Sequence, residues 1–355
     1  MIQRIILLTI LLFSSLYSNE KLYLHIPSSL SSKNSNTSFG NELINLINNS
    51  KKEISFAIYG FRGQDDILQA LIDAQNRGVK IKAVVDSDSH GKNYYSDTHL
   101  LYKHFDIASD HKSYIMHNKF FIFDKRIVWS GSSNISDTGT GGYNANNSMV
   151  IEDVTIANIF LDEFKEMFYD KKFGIHKSIK SYKNIQTDDS IISIYFSPKS
   201  NTYRNGIKEL IHKAKEYIYI PIFYLTRKDL AKELIIAHNR GVEIKIILDA
   251  SAARNRYSTH KYLRKNGIHV KVENFGGKMH AKSIIIDDKY FISGSMNLTK
   301  AGNSKNDENT IIVKNEELTK KYKKYFLTLW KMIPNKYLYY DPSPESLESG
   351  NSCLD

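Results

Sequence analysis

The chain reads His117-Asn118-Lys119, then Asp124, then Gly131-Ser132-Ser133-Asn134, and the same pattern returns in its second half. The second copy reads His280-Ala281-Lys282, then Asp287, then Gly294-Ser295-Met296-Asn297. The copies lie 163 residues apart, and in each the lysine is at +2 from the histidine, the aspartate at +7 and the asparagine at +17. Repetition at matched spacing excludes chance and indicates two related half-sites.

The duplication extends upstream of the two motifs. The segment Asn76-Arg77-Gly78-Val79-Lys80-Ile81-Lys82 matches Asn239-Arg240-Gly241-Val242-Glu243-Ile244-Lys245, again at an offset of 163, and Asp86 maps onto Asp249. The chain is therefore an internal repeat of two halves.

Both halves resemble the phospholipase D superfamily, or HKD phosphodiesterases, whose signature is H-x-K-x4-D followed by G-S-x-x-N. The resemblance covers most of the chain and is specific for the reaction rather than the substrate. It implies that the two motifs meet at a pseudo-twofold axis and form one active site. A single chain with both motifs is then expected to be an active monomer, an intramolecular pseudo-dimer with no obligate protein partner.

Strands alternate with helices in each half, which predicts an α/β fold of two similar sandwich halves. We expect each half to hold a mixed, mostly parallel sheet flanked by helices, with a closing helix at Ile156–Phe168 or Glu316–Trp330. Gly78 and Gly241 are predicted to end helices in the left-handed conformation. The expected boundaries are a first half at 19–175, a connector at 176–190, a second half at 191–335 and a tail at 336–355.

The N-terminus predicts a secretory signal peptide over residues 1–18. Arg4 supplies the positive charge, Ile5–Phe13 the apolar region and Ser14–Ser18 a small, polar region that precedes cleavage. An uncleaved anchor is the alternative. Cys353 is the only cysteine, so no intramolecular disulfide can form. The expected location is periplasmic or secreted.

Composition fits a globular protein with a basic surface. Hydrophobic residues make up 41% and charged residues 25% of the 355 residues, and the formal net charge is +11. A basic surface raises the local concentration of anionic substrates, and phosphodiesters of nucleic acid or of anionic lipid both qualify. A lysine-rich source proteome would also account for this charge.

Two histidines at one site can supply the nucleophile and the general acid that phosphodiester cleavage needs, one neutral and one protonated. His117 and His280 are these candidates, and Lys119 and Lys282 would bind the non-bridging phosphate oxygens. Further substrate-binding candidates are Ser132, Asn134, Ser295 and Asn297. No metal or other cofactor is expected, and the resemblance implies a covalent phosphohistidine.

The motif aspartates Asp124 and Asp287 are often grouped with the catalytic residues, but their position favours a turn that holds the strand end. In the family, an acidic residue about 28 positions after one histidine contacts the histidine of the opposite half. Glu308 has this spacing from His280, whereas the first half has Asn146. We therefore expect Glu308 to orient His117 as the nucleophile, and Asn146 to face His280 as the general acid.

Three other segments could carry a function. The run Asp86-Ser87-Asp88-Ser89-His90, with His99, His104 and His111, resembles a metal site, but a polar substrate-gating loop fits its spacing better. Its basic equivalent, 252–257, would line the other side of the cleft. The glycine-rich 138–142 lacks the residues of a phosphate-binding P-loop, and the lysine run 320–325 fits the solvated face of a core helix.

Three functions stay open on the sequence. The narrowly favoured one is a secreted phospholipase D acting on glycerophospholipid head groups. The second is a non-specific nuclease of the same superfamily, and the third a scaffold that has lost its chemistry. The third is weakest because both copies retain all the motif residues.

Overall fold

The computed structural model describes residues 19–89, 94–111 and 115–343. The predicted leader over 1–18, His90 and Cys353 lie outside this described part. Within it, no helix combines the length and the apolar character needed to cross a membrane.

The first half is built on a seven-stranded sheet in the order β1-β9-β7-β6-β2-β4-β5, with β3 and β8 paired separately. Its strands are β1 (Glu20–His25), β2 (Glu53–Ile58), β3 (Phe61–Arg62), β4 (Lys80–Val85), β5 (Asp106–Ser109), β6 (Lys119–Phe123), β7 (Ile127–Gly131), β8 (Ile135–Ser136) and β9 (Asn146–Glu152). Its helices are α1 (Ser38–Asn49), α2 (Asp65–Asn76), α3 (Thr98–His104) and α4 (Val154–Phe168).

The second half repeats this plan on an eight-stranded sheet in the order β10-β11-β17-β16-β15-β12-β13-β14. Its strands are β10 (Ser181–Gln186), β11 (Ile191–Ser197), β12 (Tyr217–Ile222), β13 (Glu243–Leu248), β14 (His269–Val272), β15 (Ile284–Ile286), β16 (Tyr290–Gly294) and β17 (Glu308–Lys314). Its helices are α5 (Lys208–Lys213), α6 (Lys228–Asn239), α7 (Ala250–Ala253), α8 (His260–Lys265), α9 (Lys300–Ser304) and α10 (Glu316–Met332).

The predicted α/β fold of two repeated halves is confirmed, but the sheets are not mostly parallel. In the two large sheets, parallel pairing is confined to β2-β4-β5 and β12-β13-β14, where helices connect the strands. Each motif instead forms a tight hairpin, β6-β7 or β15-β16, which then pairs antiparallel with β9 or β17. Short turns can join only antiparallel strands, so each motif contributes an antiparallel hairpin to the centre of its sheet.

A shared core fills the space between the two sheets. It contains apolar faces of α4 and α10, and the ring of Phe160 on α4 meets Phe196 of the second half edge-to-face at 5.3 Å. Separate clusters lie on the outer faces, under α1 and α2 in the first half and under α5 and α6 in the second. The two halves are thus held by a continuous apolar interface, which fixes their relative position.

Several predicted boundaries shift. The expected connector 176–190 contains β10, which pairs with β11 as the edge of the second sheet. Residues of the expected tail also pack onto the second half, since Asp341 accepts a hydrogen bond from Arg264 at 2.7 Å. A π-helical turn at Tyr203–Ile207 leads directly into the short α5. Gly78 and Gly241 have φ of 92° and 93°, as predicted.

Candidate active site

The two motif histidines meet where the halves join. The backbone N–H of His117 donates to the Asp307 carbonyl at 2.9 Å, and the N–H of His280 donates to the Ala145 carbonyl at 2.9 Å. The backbone of His117 is therefore hydrogen-bonded to the segment that leads into β17, and the backbone of His280 to the segment that leads into β9. Hydrogen bonds across the pseudo-twofold axis bring both rings into one site.

Each histidine ring is oriented by a side chain from the opposite half. His117 Nδ1 lies 2.7 Å from Glu308 Oε2, and His280 Nδ1 lies 3.1 Å from Asn146 Oδ1. Glu308 is fully buried, so its hydrogen bond is shielded from water. The predicted crossing of Glu308 to His117 is present, as is the asymmetry between carboxylate and amide.

The two motif serines hold the orienting groups in place and do not line an open surface. Ser132 Oγ donates to Asn146 Oδ1 at 2.8 Å, and Ser295 Oγ donates to Glu308 Oε2 at 2.6 Å. Both serines are fully buried. Each serine thus fixes the side chain that orients a histidine, and a contact of either hydroxyl with substrate stays a prediction.

The motif asparagines also have partners within the protein. Asn134 Nδ2 donates to the Tyr95 hydroxyl at 2.6 Å, and its Oδ1 is buried without a hydrogen-bond partner. Asn297 Oδ1 accepts from the backbone N–H of Tyr224 at 3.3 Å. In these hydrogen bonds neither amide contacts a histidine. A contact of either amide with substrate stays a prediction.

Lys119 and Lys282 extend into the same site. Their ammonium groups donate to the carbonyls of His117 and His280, at 2.9 and 2.6 Å, and leave further donors for a phosphate. Burial lowers the pKa of Lys119 to about 7, although Glu308 and Asp86 raise it. Burial lowers the pKa of Lys282 well below its usual range, and the charge of Lys119 acts in the same direction. The carboxylates of Glu308 and Asp86 do not offset the burial of these two lysines, so a bound anion would stabilise their charged forms.

The free site favours the neutral form of both histidines. Burial lowers the pKa of His117 to about 4, while Glu308 raises it and the two lysines lower it. Burial lowers the pKa of His280 well below its ordinary value, and Lys282 and Lys119 add to this effect. Burial and the two lysines thus oppose a proton on either ring, and the expectation of one protonated ring in the reaction stays a prediction. An anionic phosphodiester would reverse that repulsion.

Asp124 and Asp287 lie away from the reacting groups, and a catalytic role for them is wrong. Asp124 accepts the backbone N–H groups of Lys51, Lys52 and Glu53 at 2.8 to 3.0 Å. The second half repeats these contacts around Asp287, at 2.7 to 2.9 Å, with Lys215, Glu216 and Tyr217. Both aspartates have positive φ, 50° and 52°, as turn residues often do.

The sequence analysis missed two pairs of site residues, Tyr59 with Phe223 and Asn309 with Asn147. The His117 and Lys119 side chains pack on the Tyr59 ring, and His280 and Lys282 pack on the Phe223 ring. Asn309 Oδ1 accepts from the backbone N–H of Lys119 at 3.2 Å. Its counterpart is Asn147, which donates to Ser293 Oγ. Their alignment in the repeat was the available signal.

The gating role of the Asp86 segment stays a prediction, because His90 lies outside the described residues. Asp86 is buried, and its Oδ2 accepts from the backbone N–H of Met116 at 2.8 Å, next to His117. Its counterpart Asp249 accepts from the N–H of Ser251 at 2.9 Å and begins α7. Within the ranges that the structure describes, no three side chains of His, Cys, Asp or Glu are grouped to hold a metal ion.

The site consists of two His–Lys units, related by pseudo-symmetry, at the junction of two α/β halves. Groups of this kind can attack phosphorus, bind its oxygens and donate a proton, which defines a phosphodiesterase-type site.

Comparison with known proteins gives the same class. The family described as cardiolipin synthase, PLD-like domain, matches residues 43–168 and 207–330. A phospholipase D of Rickettsia conorii is 33% identical over 162 residues, which cover 45% of this chain and 80% of that protein. Human mitochondrial cardiolipin hydrolase is 28% identical over 141 residues, 39% of this chain and 54% of that protein. The chain belongs to the phospholipase D superfamily and is a phosphodiesterase.

The whole two-half fold also has a solved counterpart. Phosphatidylserine synthase of Haemophilus influenzae Rd KW20 superposes with a TM-score of 0.69 at 14% identity, covering 92% of this chain and 93% of that one. This similarity concerns the fold alone, and it extends over both repeats.

Proposed function

We propose that this chain is a monomeric, exported phospholipase D that hydrolyses glycerophospholipids through a phosphohistidine at His117. The observation that carries the proposal is the unequal orientation of the two rings, by the Glu308 carboxylate on His117 and by the Asn146 amide on His280. The two histidines are chemically different, and the reaction needs two different roles.

The carboxylate of Glu308 assigns His117 as the nucleophile. When Nδ1–H of His117 donates to Glu308, the lone pair of Nε2 is free to attack phosphorus. The ring gains positive charge as the N–P bond forms, and a buried carboxylate 2.7 Å away stabilises that charge. The N–P bond forms as the P–O bond to the leaving alcohol breaks.

His280 is the general acid. Its Nδ1 faces an amide oxygen, which stabilises an imidazolium less than a carboxylate does, so the protonated ring is a stronger acid. The bound diester anion raises the pKa of His280 and keeps its proton until the leaving oxygen accepts it. In the second step neutral His280 takes a proton from water, the water oxygen bonds to phosphorus and the N–P bond breaks. A phosphomonoester leaves and His117 is regenerated.

The two lysines stabilise the charge that builds on the non-bridging oxygens. Lys119 is fully buried and Lys282 nearly so, so water screens their charges little. Fixed ammonium groups of this kind supply the charge neutralisation that the pentacoordinate transition state needs. The rings of Tyr59 and Phe223 hold their side chains in position.

A lipid substrate is supported by the names of the relatives, a phospholipase D and a cardiolipin hydrolase. The residues predicted to form a leader support export. Because one chain supplies both half-sites, a second copy is not needed for activity. The net charge of +11 favours nucleic acid as the second candidate substrate, since a polyanion gains most from a basic surface.

Turnover assays separate the two substrates. The protein from residue 19 onward is incubated with EDTA and either head-group-labelled phospholipid in non-ionic micelles or single- and double-stranded DNA. Release of the head-group alcohol and phosphatidic acid is expected, with slower cleavage of DNA. Lys119→Gln and Lys282→Gln should lose both activities. Efficient cleavage of DNA without any lipid product would overturn the lipid assignment.

A further inference from the structure

The Phe223 ring collects three cationic or ionisable groups on one side of the site. The His280 ring lies 5.1 Å from it, Lys282 Nζ lies 5.1 Å from it, and Lys278 Nζ lies 5.3 Å from it. Lys278, His280 and Lys282 alternate along extended chain, so their side chains share one face. A third lysine therefore flanks the general acid.

Among the described residues of the first half, no lysine other than Lys119 contacts the equivalent ring, Tyr59. The Tyr59 ring contacts His117 at 4.9 Å and Lys119 Nζ at 5.2 Å, but its third partner is the ring of Tyr95 at 5.4 Å. The residue two positions before His117 is Ile115, an exposed apolar side chain. Counting only residues that the structure describes, the two sides of the site thus differ by one positive charge.

The charge of Lys278 is not neutralised within the described part of the chain. The ammonium group contacts the Phe223 ring, and the backbone N–H donates to Asn144 Oδ1 at 2.8 Å. After burial and the catalytic lysines, Lys278 is a further cause that lowers the pKa of His280. A cation that opposes protonation of the general acid is unfavourable for catalysis unless an anion comes to it.

Backbone contacts fix this lysine at the cleft. The Lys278 carbonyl accepts from the N–H of Ala145 at 2.8 Å, next to Asn146, which orients His280. Gly277 packs so closely on the first half that an added Cβ would lie 1.9 Å from the carbonyl oxygen of Tyr143. The segment is therefore held across the interface between the halves, and its position is set by the same contacts that set His280.

We propose that Lys278 is a specificity-determining residue, which binds a negatively charged group carried by the leaving alcohol. This inference rests on the proposed function, in which His280 protonates the leaving oxygen. In-line attack from His117 places the leaving group on the His280 side of phosphorus, and Lys278 flanks that side. The favoured substrate class is a phosphodiester lipid whose head group carries a second phosphate. A trimethylammonium head group is disfavoured.

Soluble aryl diesters test the charge preference without a lipid surface. The probes are two methyl aryl phosphodiesters whose phenol leaving groups carry either a sulfonate or a trimethylammonium group. Lys278→Gln should lower kcat/KM for the sulfonate probe about fivefold relative to the ammonium probe, as expected for a solvated charge pair. Because each probe is compared between wild type and variant, its intrinsic reactivity cancels. The preference should also weaken as salt rises.

Control variants separate this role from a general effect of charge. Lys265→Gln removes an exposed lysine at the end of α8 and should leave the ratio unchanged. Ile115→Lys adds a cation on the His117 side and should not create the same preference. If Lys278→Gln slows both probes equally, the lysine acts on the phosphate or on the pKa of His280, and the proposal is wrong.

A lipid pair extends the test to natural head groups. Phosphatidylglycerol phosphate and phosphatidylcholine are compared in non-ionic micelles, and the same loss of preference is expected in Lys278→Gln. If neither lipid is cleaved while the aryl probes respond as predicted, the lipid function fails and the role of Lys278 stands. An unchanged aryl ratio contradicts the inference even where both lipids are cleaved.

Discussion

Replacing Glu308 by glutamine removes the negative charge beside His117 and keeps the shape of the side chain. The amide oxygen of the new side chain can still accept from Ser295 and from His117, so the ring stays oriented. The loss is the charge-assisted part of a fully buried hydrogen bond of 2.7 Å. Hydrogen bonds to charged groups contribute about 1.5–3 kcal/mol, and each 1.36 kcal/mol corresponds to a factor of ten in rate. We expect kcat/KM to fall by roughly ten- to 150-fold.

A p-nitrophenyl diester makes the assay specific for the nucleophile, because its leaving group needs little protonation. Glu308→Gln should slow this substrate strongly, whereas Asn146→Ala, which affects the general acid, should slow it by less than about threefold. Circular dichroism and the melting temperature check that both variants fold. A decrease of less than threefold in Glu308→Gln would refute the role of the carboxylate.

The double variant Glu308→Gln with Asn146→Asp exchanges the two orienting groups. The account then predicts that His280 becomes the better nucleophile, since the carboxylate now faces it. Acid quench and peptide mass spectrometry should find a larger share of the trapped phosphoryl group on His280 than in wild type. An unchanged distribution would mean that something other than the orienting pair assigns the roles.

Three further predictions concern stability, pH and assembly. Asp124→Ala should lower the free energy of unfolding by about 1.5–3 kcal/mol and change kcat by less than twofold, because three backbone N–H groups lose their acceptor. Burial raises the pKa of Asp124, but the three N–H groups lower it by more. The difference in unfolding free energy between wild type and Asp124→Ala, measured in urea, should therefore narrow as pH falls below roughly 4. Because burial lowers the pKa of Lys119 to about 7, kcat/KM should fall as pH rises through about 7, and a profile flat to pH 9 would contradict this. Activity per chain should be constant on dilution, with sedimentation showing a monomer, whereas a steep loss would indicate an intermolecular site.

The motif and its partner across the axis could be predicted from sequence because both follow from spacing. The repeat offset aligns His117 with His280, and a spacing of 28 residues identified Glu308. The turn role of Asp124 followed from its place between two apolar strands. The repeat and the turn need only the sequence pattern, whereas the meaning of the 28-residue spacing and the facing of the two halves come from the resemblance to the superfamily.

The sequence analysis failed where a side chain has more than one possible hydrogen-bond partner, or where its partner lies in the other half. The sequence did not predict that the hydroxyls of Ser132 and Ser295 donate to the buried oxygens of Asn146 and Glu308. The cross-interface roles of Asn147 and Asn309 depend on how the two sheets are placed, which no local pattern specifies. Mostly parallel sheets were expected, but each motif contributes an antiparallel hairpin to the centre of its sheet. The sequence analysis did not single out Lys278. Its role is suggested by the contrast with Ile115, and this contrast becomes visible only when the two halves of the site are compared.

The site of covalent attachment tests the central claim most directly. Wild-type protein is mixed with a p-nitrophenyl phosphodiester, quenched with acid within the first turnover, digested and analysed by mass spectrometry under conditions that preserve phosphohistidine. The account predicts a phosphoryl adduct on His117, present also in His280→Asn and absent in His117→Asn. An adduct on His280 in wild type would reverse the assignment, and turnover without any histidine adduct would contradict the covalent mechanism.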